Sequence, residues 1–309
     1  MGTAARTSED PLVEVGRRLA AMGTWETTVP DYLAAGWQDH LREREDGDGG
    51  PPHRRDDDED ERVCAAWREK ICEWCYEVVD HFDFDRETAE LALHFLDRYL
   101  AARRVDREAF QLAAVTSLYL AAKLGRPACL RPSALAALSR GRCTASDITT
   151  MEEDLLARLG WRVHPPTSAA FLGDFLRLAS PDVPPAAFHE AKELARFLTE
   201  LAVCDYWFVP KKASSVALAA VLMALELHAP RANVTFLRRV RDTGLDIDVA
   251  PDSETIECYE RLRDLYTAGG WARGDVGAPT AAVSPTGAMD GPYAHDPSDD
   301  NLFGVDCVY

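Results

Sequence analysis

From residue 111 to 123 the chain reads Gln-Leu-Ala-Ala-Val-Thr-Ser-Leu-Tyr-Leu-Ala-Ala-Lys, a run of helical length with almost no polar face. A helix that is apolar all round must be buried all round. Its small residues, Ala113, Ala114, Ser117, Ala121 and Ala122, let neighbouring helices approach the backbone, while Leu112, Val115, Leu118 and Leu120 fill the space between them. The pattern predicts a central helix wrapped by others. A second run of the same character, Ser215 to Leu225, follows roughly a hundred residues later, a separation that suits one small domain, so an all-α, duplicated fold is expected.

Around the first central run, apolar positions recurring at helical spacing predict five helices, near residues 62–80, 86–102, 106–124, 132–139 and 145–159. Their starts carry polar signals: Asp85, Asp106, and Thr144 with Asp147 three positions on as a variant capping box. Pro165-Pro166-Thr167 breaks the chain and offers Thr167 as the cap of the next helix, which marks a boundary between repeats. Five more helices are predicted near 168–179, 185–204, 210–228, 231–243 and 251–267, with Pro210 placed where a missing amide hydrogen costs nothing. Ahead of both repeats, Pro11 to Met22 forms an amphipathic pattern through Leu12, Val13, Val15, Leu19 and Met22, and Val29-Pro-Asp-Tyr-Leu33 follows. Residues 42–61, and the chain after Gly269-Gly270, are too polar and too rich in Gly and Pro to bury a core, so disorder is expected there. The expected domains are 1–61 (helix and acidic insert), 62–164, 165–268 and a disordered tail, 269–309.

With 309 residues and 47% hydrophobic content, the chain can fill two small cores. No apolar stretch approaches the roughly twenty residues of a membrane span, and residues 1–10 lack a signal-peptide apolar region; a soluble intracellular protein with no membrane contact is expected. The formal net charge is -18, much of it in Asp56 to Glu61 and the last twenty residues, which disfavours nucleic acid as a partner. Cys72 and Cys75 stand three apart, but no second Cys-x-x-Cys completes a zinc site, so the 8 cysteines read as buried free thiols and no metal or cofactor is expected. No Gly-rich phosphate loop and no Gly-x-Ser-x-Gly occurs, and His81 with Asp83, or His94 with Asp97, is too ordinary a pairing to nominate a catalytic residue.

Four ordered blocks then carry a resemblance. They are Trp67-Arg-Glu-Lys-Ile-Cys-Glu-Trp-Cys-Tyr-Glu-Val78, Leu96-Asp-Arg-Tyr-Leu100, Phe110-Gln-Leu through Ala-Ala-Lys123, and Met151-Glu152 through Leu159-Gly-Trp161 to Pro166-Thr167. Together they resemble the cyclin box, strongly over 62–167 and more weakly over 167–267. The resemblance implies tandem five-helix cyclin-box repeats with disordered termini, and a non-enzymatic subunit that binds and activates a cyclin-dependent kinase in cell-cycle control, in the nucleus and cytoplasm. It assigns kinase contact to Lys123 and Glu152, and a groove for Arg-x-Leu-type peptides to Trp67, Ile71, Trp74, Glu77 and Gln111. Lys70 stands where the family places an aliphatic groove residue, and Leu124-Gly-Arg-Pro127 follows Lys123 where the family usually has an aromatic or apolar residue and two glutamates. Arg68 and Asp97 could be buried in a helical bundle only as a pair, since an unpaired buried charge costs several kcal/mol, and the resemblance makes that pair structural. Pro-Asp-Tyr-Leu33 and the Trp-bearing helix lean toward a D-like or G1 type. Ser180-Pro181 and Ser284-Pro285 fit proline-directed phosphorylation. Two other readings stay open: a cyclin-box transcription or adaptor module of the factor IIB or retinoblastoma kind acting without a kinase, and an all-helical enzyme.

Overall fold

The computed structural model describes residues 10–28, 65–103, 105–125, 130–139 and 141–269. The Val29 to Leu33 element, the acidic insert and the tail beyond Gly269 lie outside the described residues. Eleven α-helices and no strand occur among the described residues: α1 (Pro11–Thr28), α2 (Ala65–His81), α3 (Glu87–Ala102), α4 (Arg107–Gly125), α5 (Pro132–Leu138), α6 (Ala145–Arg158), α7 (Ser168–Ala179), α8 (Pro185–Cys204), α9 (Ala213–His228), α10 (Asn233–Asp242) and α11 (Glu254–Ala268). Each repeat is thus five helices, α2–α6 and α7–α11.

The chain divides into two compact units. One holds α2–α6 together with the segment Val203–Pro210. Here α4 is the central helix: every residue from Phe110 to Ala122 is buried except Leu112 and Tyr119, and α3 and α6 pack along its flanks. Because its side chains are small, α4 gives its neighbours close access to its backbone. The core is completed by Ile71, Cys72, Tyr76, Phe95, Leu96, Tyr99, Ile148 and Leu155, and Cys204 belongs to it. The N-terminus of α6 carries the expected capping box, with Asp147 N–H donating to Thr144 Oγ1 (3.2 Å) and Thr144 N–H to Asp147 Oδ2 (2.8 Å). At its C-terminus, Arg98 on α3 donates to the carbonyls of Leu159 (3.0 Å) and Arg162 (2.9 Å), satisfying acceptors that the helix cannot.

The other unit holds α1, α7, α8 as far as Ala202, and α9–α11. Helix α9 is its counterpart of α4, buried without a break from Ser214 to Leu225. Thr167 caps α7, accepting from Ala170 N–H at 3.0 Å. Helix α1 runs on to Thr28, past the Met22 limit of its apolar pattern, and joins this unit rather than standing apart. It packs on α7 through Val15 and Leu19, and Arg18 grips the buried Asp174 with two hydrogen bonds, Nε to Oδ2 at 3.0 Å and Nη2 to Oδ1.

Two expected starts in the second repeat move by 3 residues: α11 begins at Glu254 rather than Pro251, and α9 moves as well. Helix α9 begins at Ala213, not at Pro210, because the Tyr206–Phe208 3-10 turn occupies the approach. Its first amides find a distant acceptor: Ser214 N–H donates to Glu26 Oε1 of α1 at 3.0 Å, and Ser214 Oγ–H to Oε2. Burial of the Glu26 carboxyl pushes its pKa up, and the Ser214 hydrogen bonds oppose that push.

Candidate partner-binding site

Lys123 lies in the last turn of α4 and Glu152 in the second turn of α6. Folding brings them together: Nζ stands 2.8 Å from Oε1, across 29 residues of chain. Packing of α4 against α6 sets this distance. The lysine side chain is 46% exposed and the glutamate side chain 10% exposed, so the pair presents a cation outward on a largely covered carboxylate. The hydrogen bond to Glu152 raises the Lys123 pKa, against the effect of burial, and the carboxylate charge and Tyr119 add to the rise. The ammonium also lies 5.5 Å from the centre of the Tyr119 ring. An ion pair this open contributes little to stability, about 0–1 kcal/mol, and its polar atoms remain available to a partner that desolvates them.

Past the end of α6, Gly160 and Trp161 both take left-handed backbone, with φ of 58° and 59°. Glycine adopts that region freely, whereas tryptophan does so at a cost. Trp161 is nonetheless 73% exposed. Exposed aromatics are the commonest anchors of protein interfaces. Sequence reasoning used Trp161 only as a motif letter; the Gly-Trp step after a helix was the available signal.

The groove residues fall differently. Trp67, Ile71 and Trp74 are buried, at 5%, 0% and 4% exposure, so their stripe faces the core. The Trp67 ring lies 5.6 Å from Phe110, with the Arg107 guanidinium 5.6 Å from the ring centre. Glu77 is exposed and Lys70 partly so. Gln111 is buried, and its Oε1 accepts from Arg142 at 3.2 Å. It borders a cavity of about 200 Å³ whose wall also includes Glu108, Leu112, Val115, Ser139, Arg142 and Cys143.

Arg68 and Asp97 meet side by side inside the bundle, Nε to Oδ1 and Nη2 to Oδ2 both at 2.9 Å, with the residues 4% and 3% exposed. Burial alone would lower the Arg68 pKa, but the Asp97 charge and hydrogen bonds outweigh it and the net shift is upward. The third donor of the guanidinium, Nη1, reaches the Val203 carbonyl at 2.8 Å. Among the described residues, no group of three or more His, Cys, Asp or Glu could hold a metal ion, and no helix is long and apolar enough to cross a membrane.

Two family models match the chain one after the other: Cyclin, N-terminal domain over residues 39–164, and Cyclin, C-terminal domain over residues 166–268. Among curated proteins, it is 32% identical over 162 residues to cyclin-B2-2 of Arabidopsis thaliana, covering 52% of this chain and 36% of that protein. It is 31% identical over 154 residues to G2/mitotic-specific cyclin S13-6 of Glycine max (50% and 33%), and 28% identical over 170 residues to cyclin-A3-3 of Arabidopsis thaliana (55% and 52%). The chain therefore spans about half the length, or less, of these relatives.

Proposed function

The chain belongs to the cyclin family, and from that premise we propose that it is the regulatory subunit of a cyclin-dependent protein kinase, which it binds and activates allosterically in cell-cycle control. The relatives it matches are A- and B-type cyclins, and these names support a cell-division role. The carrying observation is the Lys123–Glu152 pair, held at 2.8 Å by two packed helices with the lysine side chain half exposed. A rigid pair of hydrogen-bonding groups can recognise backbone polar groups of a partner in one arrangement and not in another. Selection follows from that difference: a ligand shifts a conformational equilibrium only by its differential affinity for the two states. A bias of two- to three-hundred-fold towards the active kinase requires roughly 3 kcal/mol of such contact.

In this reading the chemistry stays in the kinase, and Lys123, Glu152 and the exposed Trp161 carry recognition. Residence in the nucleus and cytoplasm is part of the same proposal. The groove role is weaker than the kinase role, since three of its apolar residues lie in the core and Arg107 stands over Trp67.

The test is capture of a cyclin-dependent kinase by the purified chain, followed by histone phosphorylation with and without it. Lys123→Ala/Glu152→Ala is expected to weaken kinase binding by on the order of 2 to 5 kcal/mol, at least about 30-fold, without changing the helical circular dichroism. Undiminished binding by that variant would count against the site. Absence of any responsive kinase, with a peptide or DNA-bound assembly captured instead, would move the chain to the transcription or adaptor reading.

A further inference from the structure

Cys72 on α2 and Cys204 at the end of α8 are 132 residues apart in the chain, yet their sulfurs stand 3.1 Å apart in the core, with the residues 0% and 3% exposed. Two contacts one helical turn apart on α2 fix this register. Arg68 holds the Val203 carbonyl at 2.8 Å, and Cys72, four positions on, faces the next residue, Cys204. Arg68 is itself immobilised by Asp97, so the approach of the two sulfurs is built into the unit. Free buried cysteines usually behave as small apolar side chains, and nothing in the kinase-binding role uses these two.

We propose that Cys72 and Cys204 are a redox modification site, at which hydrogen peroxide converts the two thiols to a disulfide tying α2 to the segment that follows α8. An S–S bond of about 2.05 Å asks the sulfurs to draw in by only about 1 Å. The Cys72 sulfur attacks one peroxide oxygen; the O–O bond breaks, sulfur gains the hydroxyl as a sulfenic acid, and the other oxygen leaves as water with the thiol proton. The Cys204 sulfur then attacks the Cys72 sulfur, the S–O bond breaks, and the hydroxyl departs as a second water with the Cys204 proton. The two thiols lose two electrons and two protons, and one peroxide becomes two waters. The two sulfurs face each other directly, so a sulfenic acid formed on Cys72 lies within reach of the second thiol. Closure in a buried pocket also shields the sulfenic acid from further oxidation.

The experiment treats the reduced full chain with hydrogen peroxide, blocks remaining thiols with iodoacetamide, and maps peptides by mass spectrometry without reductant. A Cys72–Cys204 linked peptide is expected, lost on dithiothreitol treatment, absent from Cys72→Ala and Cys204→Ala, and retained in Cys75→Ala. The midpoint of thermal unfolding should rise with peroxide and return with dithiothreitol. The proposal is overturned if both cysteines still take iodoacetamide after denaturation, if Cys72 pairs with Cys75 instead, or if oxidation stops at sulfenic or sulfinic acid. Should circular dichroism show that the alanine variants do not fold, the linked peptide of the unsubstituted chain decides alone.

Discussion

His94 sits on α3 one turn before Arg98, and burial, helped by that guanidinium's charge, lowers its pKa from 6.5 to about 3. The folded protein therefore binds fewer protons than the unfolded chain below about pH 6.5. Stability contributed by neutral His94 is complete above that pH and is lost as pH falls towards 3. Between pH 6.5 and 4 the thermal midpoint should fall more steeply for the unsubstituted protein than for His94→Leu, and equal slopes would refute the assignment. Arg68 and Asp97 act through charge in another way. Asp97→Ala leaves a guanidinium buried with no carboxylate, an expected loss of about 3–5 kcal/mol in denaturant unfolding. Replacing both, as in Arg68→Met/Asp97→Leu, should cost far less, because no charge is then stranded. That they would pair was legible in sequence, since neither could be buried alone. The hydrogen bond from Arg68 to Val203 was not, because it spans 135 residues and ends on a backbone carbonyl, which has no sequence signature.

Among the helices, α1 shows how packing grades two positions of the same residue type. A Cβ placed on Gly16 would meet Thr243 at 3.6 Å, an ordinary contact, whereas one on Gly23 would come within 2.3 Å of Leu245 Cδ1. Gly16→Ala should be neutral or stabilising by up to about 1 kcal/mol, reflecting helix propensity. Gly23→Ala must displace Leu245, a buried side chain, and should lower the unfolding midpoint relative to Gly16→Ala; the reverse order would show that α1 does not pack as described. The same contrast explains what was readable. The central helices α4 and α9 announced themselves because burial on all sides forbids a polar face. The start of α9 was misplaced because its cap, Glu26, lies 188 residues away from Ser214. Trp67, Ile71 and Trp74 declared a helical stripe, but a stripe does not say what covers it; at Trp67, Phe110 and Arg107 do so here. The approach of Lys123 to Glu152 came from the family resemblance alone, for a helix-end lysine has a dipole explanation wherever it occurs and nothing in the sequence joins it to a glutamate of another helix.

For the whole molecule, the division into two units makes a claim about cooperativity that sequence order conceals. Although α1 begins the described chain, it belongs to the unit built from α7–α11. Deleting residues 1–28 would uncover the surface that Val15 and Leu19 bury, at about 1.5–3 kcal/mol for each such side chain. It would also take Arg18 from the buried Asp174, leaving the exposed Arg177 at 3.9 Å as its remaining ion-pair partner among the described residues, and would remove the Glu26 acceptor from the first turn of α9. These losses fall on one unit. Amides of α7 and of the first turn of α9 should then exchange with deuterium markedly faster, while those of α4 keep their protection. Equal loss of protection in α4 would mean that the two units unfold together, and no loss in α7 would mean that α1 is an appendage. A kinase-binding pair on α4 and α6 that survives the deletion, in a chain whose second unit has loosened, would place recognition in the first repeat and assign α1 to the stability of the second.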